Sequence, residues 1–138
     1  MRSVLIPFDG SESARRAIKY AIDFAKEYGR LNIHVLNVQE EPVVYGDYLT
    51  ASLRSAALRA AEEMLIKARE QFDAVNVPFE AHIALGGVAE EVAKAVAAHG
   101  CDTVIMGTRG MGAMSNLLMG SVATRVVHAV PVPVLLVK

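Results

Sequence analysis

With 138 residues and 14.8 kDa, the chain is about the size of one domain, long enough to bury a core without metals or disulfides. Hydrophobic residues make up 53% and charged residues 21%, which excludes a disordered or solvated tail protein. Lys and Arg number 14 against 15 Asp and Glu; a formal net charge of -1 leaves no broad electrostatic footprint for nucleic acid or anionic lipid.

The charge is unevenly placed. Residues 1–100 carry a net -3, and residues 101–138 a net +2 from Arg109, Arg125 and Lys138 against Asp102. A weakly positive C-terminal third points towards a small anionic ligand. The single cysteine, Cys101, excludes an internal disulfide framework and a Cys-clustered zinc site. No apolar run reaches the ~18–20 residues of a membrane span. Met1-Arg2 leads directly into a strand-like run with no signal-peptide apolar region, so a cytoplasmic location is expected.

Strand and helix patterns alternate along the chain. Val4–Phe8 is a short apolar run, and Asp9-Gly10-Ser11 then supplies turn and N-cap residues. Ala14, Ala17, Ile18, Ala21, Ala25 and Tyr28 recur at helical spacing up to Gly29, where a C′ glycine would stop the helix. Asn32–Val38 is β-rich, and Glu40–Gly46 is punctuated as a loop by Pro42 and Gly46. A long helix is predicted from about Tyr48 to Ala74, with Leu53, Ala57, Ala60, Met64, Ala68 and Phe72 on one stripe. Phe79, Ala81, Ile83 and Leu85 alternate as a strand closed by Gly86-Gly87. Val88–His99 is a third helix, ending at Gly100, and Thr103–Met106 a buried-type strand. Gly107–Gly120 is a glycine- and methionine-rich loop, Ser121–Ala129 a short fourth helix, and Val132–Val137 a last strand. The order βαβαβαβαβ, with strands apolar on both faces, predicts an α/β fold: a single doubly wound parallel sheet with helices on both faces, over residues 1–138.

In such a sheet ligands bind beyond the carboxyl ends of strands, where the winding reverses. Four of the ten glycines fall between positions 107 and 120, after the fourth strand. Glycines there let backbone N–H groups approach an anion, and the helix opening at Gly120-Ser121 adds its donors and dipole. The stretch therefore reads as a phosphate cradle, with Ser121 as N-cap, phosphate ligand or both. The two common nucleotide loops do not match. Ala113 stands where G-x-x-x-x-G-K-[ST] needs its lysine, and Gly110 and Gly112 are followed by Ser115 where G-x-G-x-x-G needs glycine.

The pattern that does match is G-x2-G-x9-G-[ST], as Gly107, Gly110, Gly120 and Ser121. With Pro7-Phe8-Asp9-Gly10-Ser11 and the closing Val130-Pro131-Val132-Pro133-Val134-Leu135-Leu136-Val137, the whole chain resembles the universal stress protein family. The resemblance implies a five-stranded sheet in the order 3-2-1-4-5, with Asp9 and the glycine loop facing each other across one crevice. It also implies the ATP-binding subgroup, with Mg²⁺ held mainly through the phosphates. Asp9 would take the ribose or adenine edge and backbone near Val38 the adenine. Met106 would pack beside the base, with Pro7 at the first strand's end. Gly107, Gly110, Gly120, Ser121 and Val122 would hold ribose and phosphates, and Arg109 would pair with phosphate or a neighbouring subunit. A homodimer through strand 132–137 is expected both from the resemblance and from that strand's apolar edge, blunted by Lys138 alone.

No catalytic constellation stands out. His34, His82, His99 and His128 fall on different elements without metal-ligand spacing and read as structural or solvated. Ser121 lacks an evident base, and Cys101 reads as a small apolar residue. A phospho-receiver would need an aspartate after strand 3, where Leu85-Gly86 stands, and a lysine after strand 5, where the sequence ends at Lys138. A flavin carrier would need aromatics beyond Tyr45 and Tyr48. The reading is a homodimeric adenine-nucleotide module of stress response or signalling, with no nucleic acid, membrane or resident metal. The alternatives are a dimeric interaction protein without nucleotide and a slow ATPase.

Overall fold

A computed structural model describes residues 1–42, 47–109 and 119–138. The strands are β1 (Ser3–Pro7), β2 (Asn32–Gln39), β3 (Glu80–Leu85), β4 (Thr103–Gly107) and β5 (Val134–Val137). They alternate with helices α1 (Glu12–Tyr28), α2 (Asp47–Asp73), α3 (Val88–His99) and α4 (Ser121–Ala129). The strands form one parallel sheet in the order β3-β2-β1-β4-β5. Winding runs outwards from β1 to β3 and returns to lay β4 on its other side, so the switch point lies between β1 and β4.

The apolar two-sidedness of the strands has a direct structural cause. Val4, Ile6, Ile33, Val35 and Ile105 enter one core with Ala14, Ala17, Ile18 and Ala21 of α1 and Leu65, Ala68 and Phe72 of α2. Leu5, Leu36, Val104 and Met106 enter a second core with Val92 and Val96 of α3 and Ala123 and Val126 of α4. Burying each large aliphatic side chain contributes about 1.5–3 kcal/mol before chain entropy is counted. The α1 ends follow the residues expected of them. Ser11 Oγ accepts from Ala14 N at 3.2 Å, and Gly29, at φ +93°, donates its N–H to Ala25 O.

Three boundaries differ from the sequence reading. On α2 the buried stripe is Ala61, Leu65, Ala68 and Phe72, whereas Leu53 is 42% exposed, because only the C-terminal half of this helix lies on the core. On β3, Ala81 and Ile83 are exposed, so its alternation does not mark a covered face at this sheet edge. β5 starts at Val134, after Pro133, which has no N–H to give the ladder but accepts from Val104 N at 2.9 Å.

Asp102 ties the start of β1 to the start of β4. Its Oδ2 accepts from Arg2 N at 2.8 Å, and its Oδ1 accepts from Thr103 Oγ1 at 2.9 Å. Partial burial alone would raise this carboxyl. The bonds from Thr103, Arg2 and Ser3, together with the amino terminus, outweigh that and hold it below the usual aspartate range. A depressed folded pKa stabilises the protein above the unfolded pKa, and that stabilisation disappears as pH falls through the folded value. Asp102→Asn is therefore expected to cost about 1 kcal/mol at neutral pH. In urea melts the gap between variant and wild type should narrow as pH falls through the depressed native value, where the folded carboxyl is protonated as well. A gap independent of pH would refute this account.

Candidate functional site at the carboxyl ends of β1 and β4

Register places Pro7, Val38 and Gly107 at the carboxyl end of the sheet, where the first and fourth strands leave it side by side. Asp9 follows β1 and turns the chain into α1, its Oδ1 accepting from Ser11 N at 2.9 Å. Gly10 makes the turn at φ +82°, a conformation L side chains rarely adopt, beneath Met64 of α2.

The exits of the two strands are bonded together. Ser13 Oγ, buried on α1, donates to the carbonyl of Arg109 at 2.5 Å, and Ser11 Oγ reaches the same oxygen at 3.3 Å. Thr108 is buried, donates its N–H to Val137 O at 2.9 Å and accepts from Gly120 N at 2.6 Å. That last bond fixes the start of α4 against the end of β4. Arg109 is thus held by its backbone while its side chain is exposed.

The N-cap of α4 is Gly120, in extended conformation (φ -72°, ψ 162°), and among the described residues no side chain caps the helix. Ser121 is the first helical residue and is exposed, which corrects its expected role as N-cap. The first intrahelical bond is Thr124 N to Gly120 O at 3.1 Å. The N–H groups of Ser121, Val122 and Ala123 therefore open the helix without intrahelical acceptors, at the positive end of its dipole. Val122 is partly buried and packs its side chain on the α3–α4 core, leaving only its backbone for a ligand.

Two of the expected site residues also pack within the fold. Gly107 belongs to β4 rather than to the loop, and it is buried. A Cβ there would run into Ser13 Oγ and come within 2.8 Å of Ala14 N and Ser13 C, so glycine there allows the close approach of α1. Met106 is 5% exposed and packed in the second core, with little surface to offer a base. Val38 is partly buried at the end of β2 and Pro7 partly buried at the end of β1. Gly110 lies outside the described residues.

One participant was missed in the sequence. Asn37, 3% exposed, donates from Nδ2 to Phe8 O at 2.8 Å, and its Oδ1 accepts from Gln39 Nε2 at 2.8 Å. It fixes the carbonyl immediately before Asp9, and so the direction in which the β1 exit leaves the sheet. An asparagine inside a run of buried apolar residues was the available signal, since such a side chain must find partners. A cluster at the other end of the sheet was also missed. His34, His82 and His99, expected to be separate, come together there, with ring centroids 3.9–5.2 Å apart. His128 is exposed in the last turn of α4. Cys101 is buried in the second core, and burial pushes its thiol up, away from reactivity.

The profile of the Usp (universal stress protein) family matches residues 1–138. The chain belongs to the universal stress protein family. Among family members, it is 36% identical over 141 residues to the universal stress protein in the QAH/OAS sulfhydrylase 3′ region of Thermus aquaticus, covering 99% of this chain and 98% of that protein. The solved structure of the hypothetical protein MJ0577 superposes with a TM-score of 0.84 at 27% identity, covering 99% of this chain and 95% of the other. A family protein from Arabidopsis thaliana, solved with AMP bound, shares the fold with a TM-score of 0.66 at 17% identity, covering 100% of this chain and 92% of that one. Among the described residues of the present chain, no helix is long and apolar enough to cross a membrane.

Proposed function

We propose that this universal stress protein binds an adenine nucleotide, ATP with Mg²⁺, in the crevice between the ends of β1 and β4. The observation that carries this reading is the start of α4, which no side chain among the described residues caps and which is bonded to Thr108 just after β4. Uncapped N–H groups at the positive end of a helix dipole suit a phosphate. The Asp9 turn alongside suits a nucleoside, and a family fold with AMP bound supports the choice of adenine. Backbone N–H groups of Ser121 and Val122 would meet phosphate oxygens, with Gly110, Gly120 and Arg109 on the same side. Pro7, Asp9 and backbone at Val38 would meet the nucleoside. Gly107 and Met106 shape the crevice from within the fold.

Binding rather than turnover is the proposed output, in a cytoplasmic stress-response or signalling module. Rapid phosphoryl transfer uses a positioned base and cationic clamps, whereas Arg109 is the one cation in the segment 107–120. Isothermal titration of the wild type with MgATP, AMP and adenosine tests the reading. Saturable binding of MgATP at one site per chain is expected, and absence of binding to all three would replace the reading with that of a nucleotide-free interaction protein.

The proposed assembly is a homodimer. β5 has one strand neighbour, β4, and its residues Val134, Leu135, Leu136 and Val137 are all partly exposed along the sheet edge. An apolar edge invites pairing with a second copy, and two-fold pairing closes the surface. Sedimentation equilibrium at micromolar protein should return twice the 14.8 kDa chain mass. A monomer with and without MgATP would overturn the assembly.

A further inference from the structure

We propose that His34, His82 and His99, with Glu80, form a binding site for a divalent late transition metal ion such as Zn²⁺. It lies at the amino ends of β2 and β3, at the opposite end of the sheet from the nucleotide crevice, and does not depend on the nucleotide reading.

The juxtaposition comes from three elements. His34 pairs in register with Glu80, and His82 follows two residues along β3, so both histidines stand on the sheet face that α3 covers. The C-terminal turn of α3 brings down His99. One ring nitrogen from each histidine lies within 4.8 Å of the others, and His34 Nδ1 is 3.0 Å from His82 Nε2. Glu80 Oε2 is 3.7 Å from the first of these nitrogens and 4.0 Å from the second. Ligand atoms around a tetrahedral ion with bonds of about 2.0–2.1 Å stand about 3.3 Å apart, so the three histidine donors are already close to the required spread, and Glu80 stands beside two of them. Three imidazoles and one carboxylate are also the donor set that zinc, copper and nickel accept.

Surroundings favour a cation. The C-terminal carbonyls of α3 place negative partial charge beside His99, and Glu80 adds a full negative charge. Burial holds His34 and His82 below the ordinary histidine range; the neighbouring His99 charge adds to this in both, while Glu80 opposes it. A lowered pKa favours the neutral rings that bind metal, each with one lone pair; the 3.0 Å contact in which one of the His34 Nδ1 and His82 Nε2 nitrogens donates to the other would give way to the ion. The three rings are now stacked within 18–23° of parallel. Converging their nitrogens on one ion requires rotation about χ2, a soft torsion for histidine.

The experiment uses tag-free full-length protein, dialysed free of metal and nucleotide and titrated with Co²⁺ alone, then with Zn²⁺ as competitor. Tetrahedral visible absorption should rise to one Co²⁺ per chain and be displaced by Zn²⁺, with an apparent Zn²⁺ Kd on the order of 1 µM or below. His82→Gln and His99→Ala should each weaken Zn²⁺ at least ~10-fold while MgATP titrations stay as in wild type. Far-UV circular dichroism and melting in EDTA establish that each variant is folded. Should His82→Gln unfold, His99→Ala decides alone, being partly exposed at a helix end. Zn²⁺ binding weaker than about 100 µM in wild type, or unchanged binding in a folded His99→Ala variant, overturns the site.

Discussion

Gly107→Ala is expected to destabilise the protein by about 3 kcal/mol, the cost of forcing an extra carbon into a packed core. The added Cβ has nowhere to go. It meets the Ser13 hydroxyl and, at 2.8 Å, the backbone of Ser13 and Ala14 in the first turns of α1. Relief would require α1 to move off β4. That would stretch the bonds by which Ser13 and Ser11 hold the Arg109 carbonyl. Adding Ser13→Ala should restore only a minor share, because it removes the hydroxyl and leaves the backbone obstacle in place. Urea melts of both variants check this. A Gly107→Ala protein as stable as wild type would show that α1 sits further from β4 than described.

Gly120→Val separates folding from binding at the other side of the same strand exit. Gly120 already has extended backbone of a kind valine adopts, and loss of a good N-cap residue costs at most about 1 kcal/mol. Its side chain would stand over the first N–H groups of α4. MgATP affinity should fall at least ~10-fold, about 1.4 kcal/mol, with adenosine affected less. Ser121→Ala should cost less than Gly120→Val, since the backbone donors remain. Asp9→Ala should weaken adenosine and ATP alike, because its proposed contact is with the nucleoside. Titrations with both ligands on the three variants distinguish the two halves of the crevice. Wild-type MgATP affinity in Gly120→Val would remove α4 from the phosphate site.

Architecture was legible because every element carries its own period and punctuation. Ser11, Gly29 and Gly100 mark helix ends at which the chain does stop or start, and resemblance supplied the strand order. Site chemistry was less legible wherever it depends on what lies across from a residue. Gly107 was recognised as a required glycine, but the spacing of glycines does not say whether the missing Cβ faces a ligand or a helix. That answer needed the path of α1. His34 and His82 lie 48 residues apart and meet only through the β2–β3 register. No short spacing in the sequence announces them. Leu53 failed in the opposite sense: helical periodicity identified its stripe, but not how far along α2 the core extends.

The position of β1 also sets a sequence of events during synthesis. β1 is hydrogen-bonded on both sides, yet its partners arrive at very different times. β2 is made within a few tens of residues. β4 comes about a hundred residues after β1, the separation spanned by the Arg2–Asp102 bond. Closing so long a loop is slow relative to local pairing. A nascent chain that has paired β1, β2 and β3 therefore carries the middle of its future sheet as an open edge, with one row of β1 amides unpaired. Folding of the second half is then an act of covering that edge. The central strand of the finished sheet is the one most exposed to misassociation while it is being made.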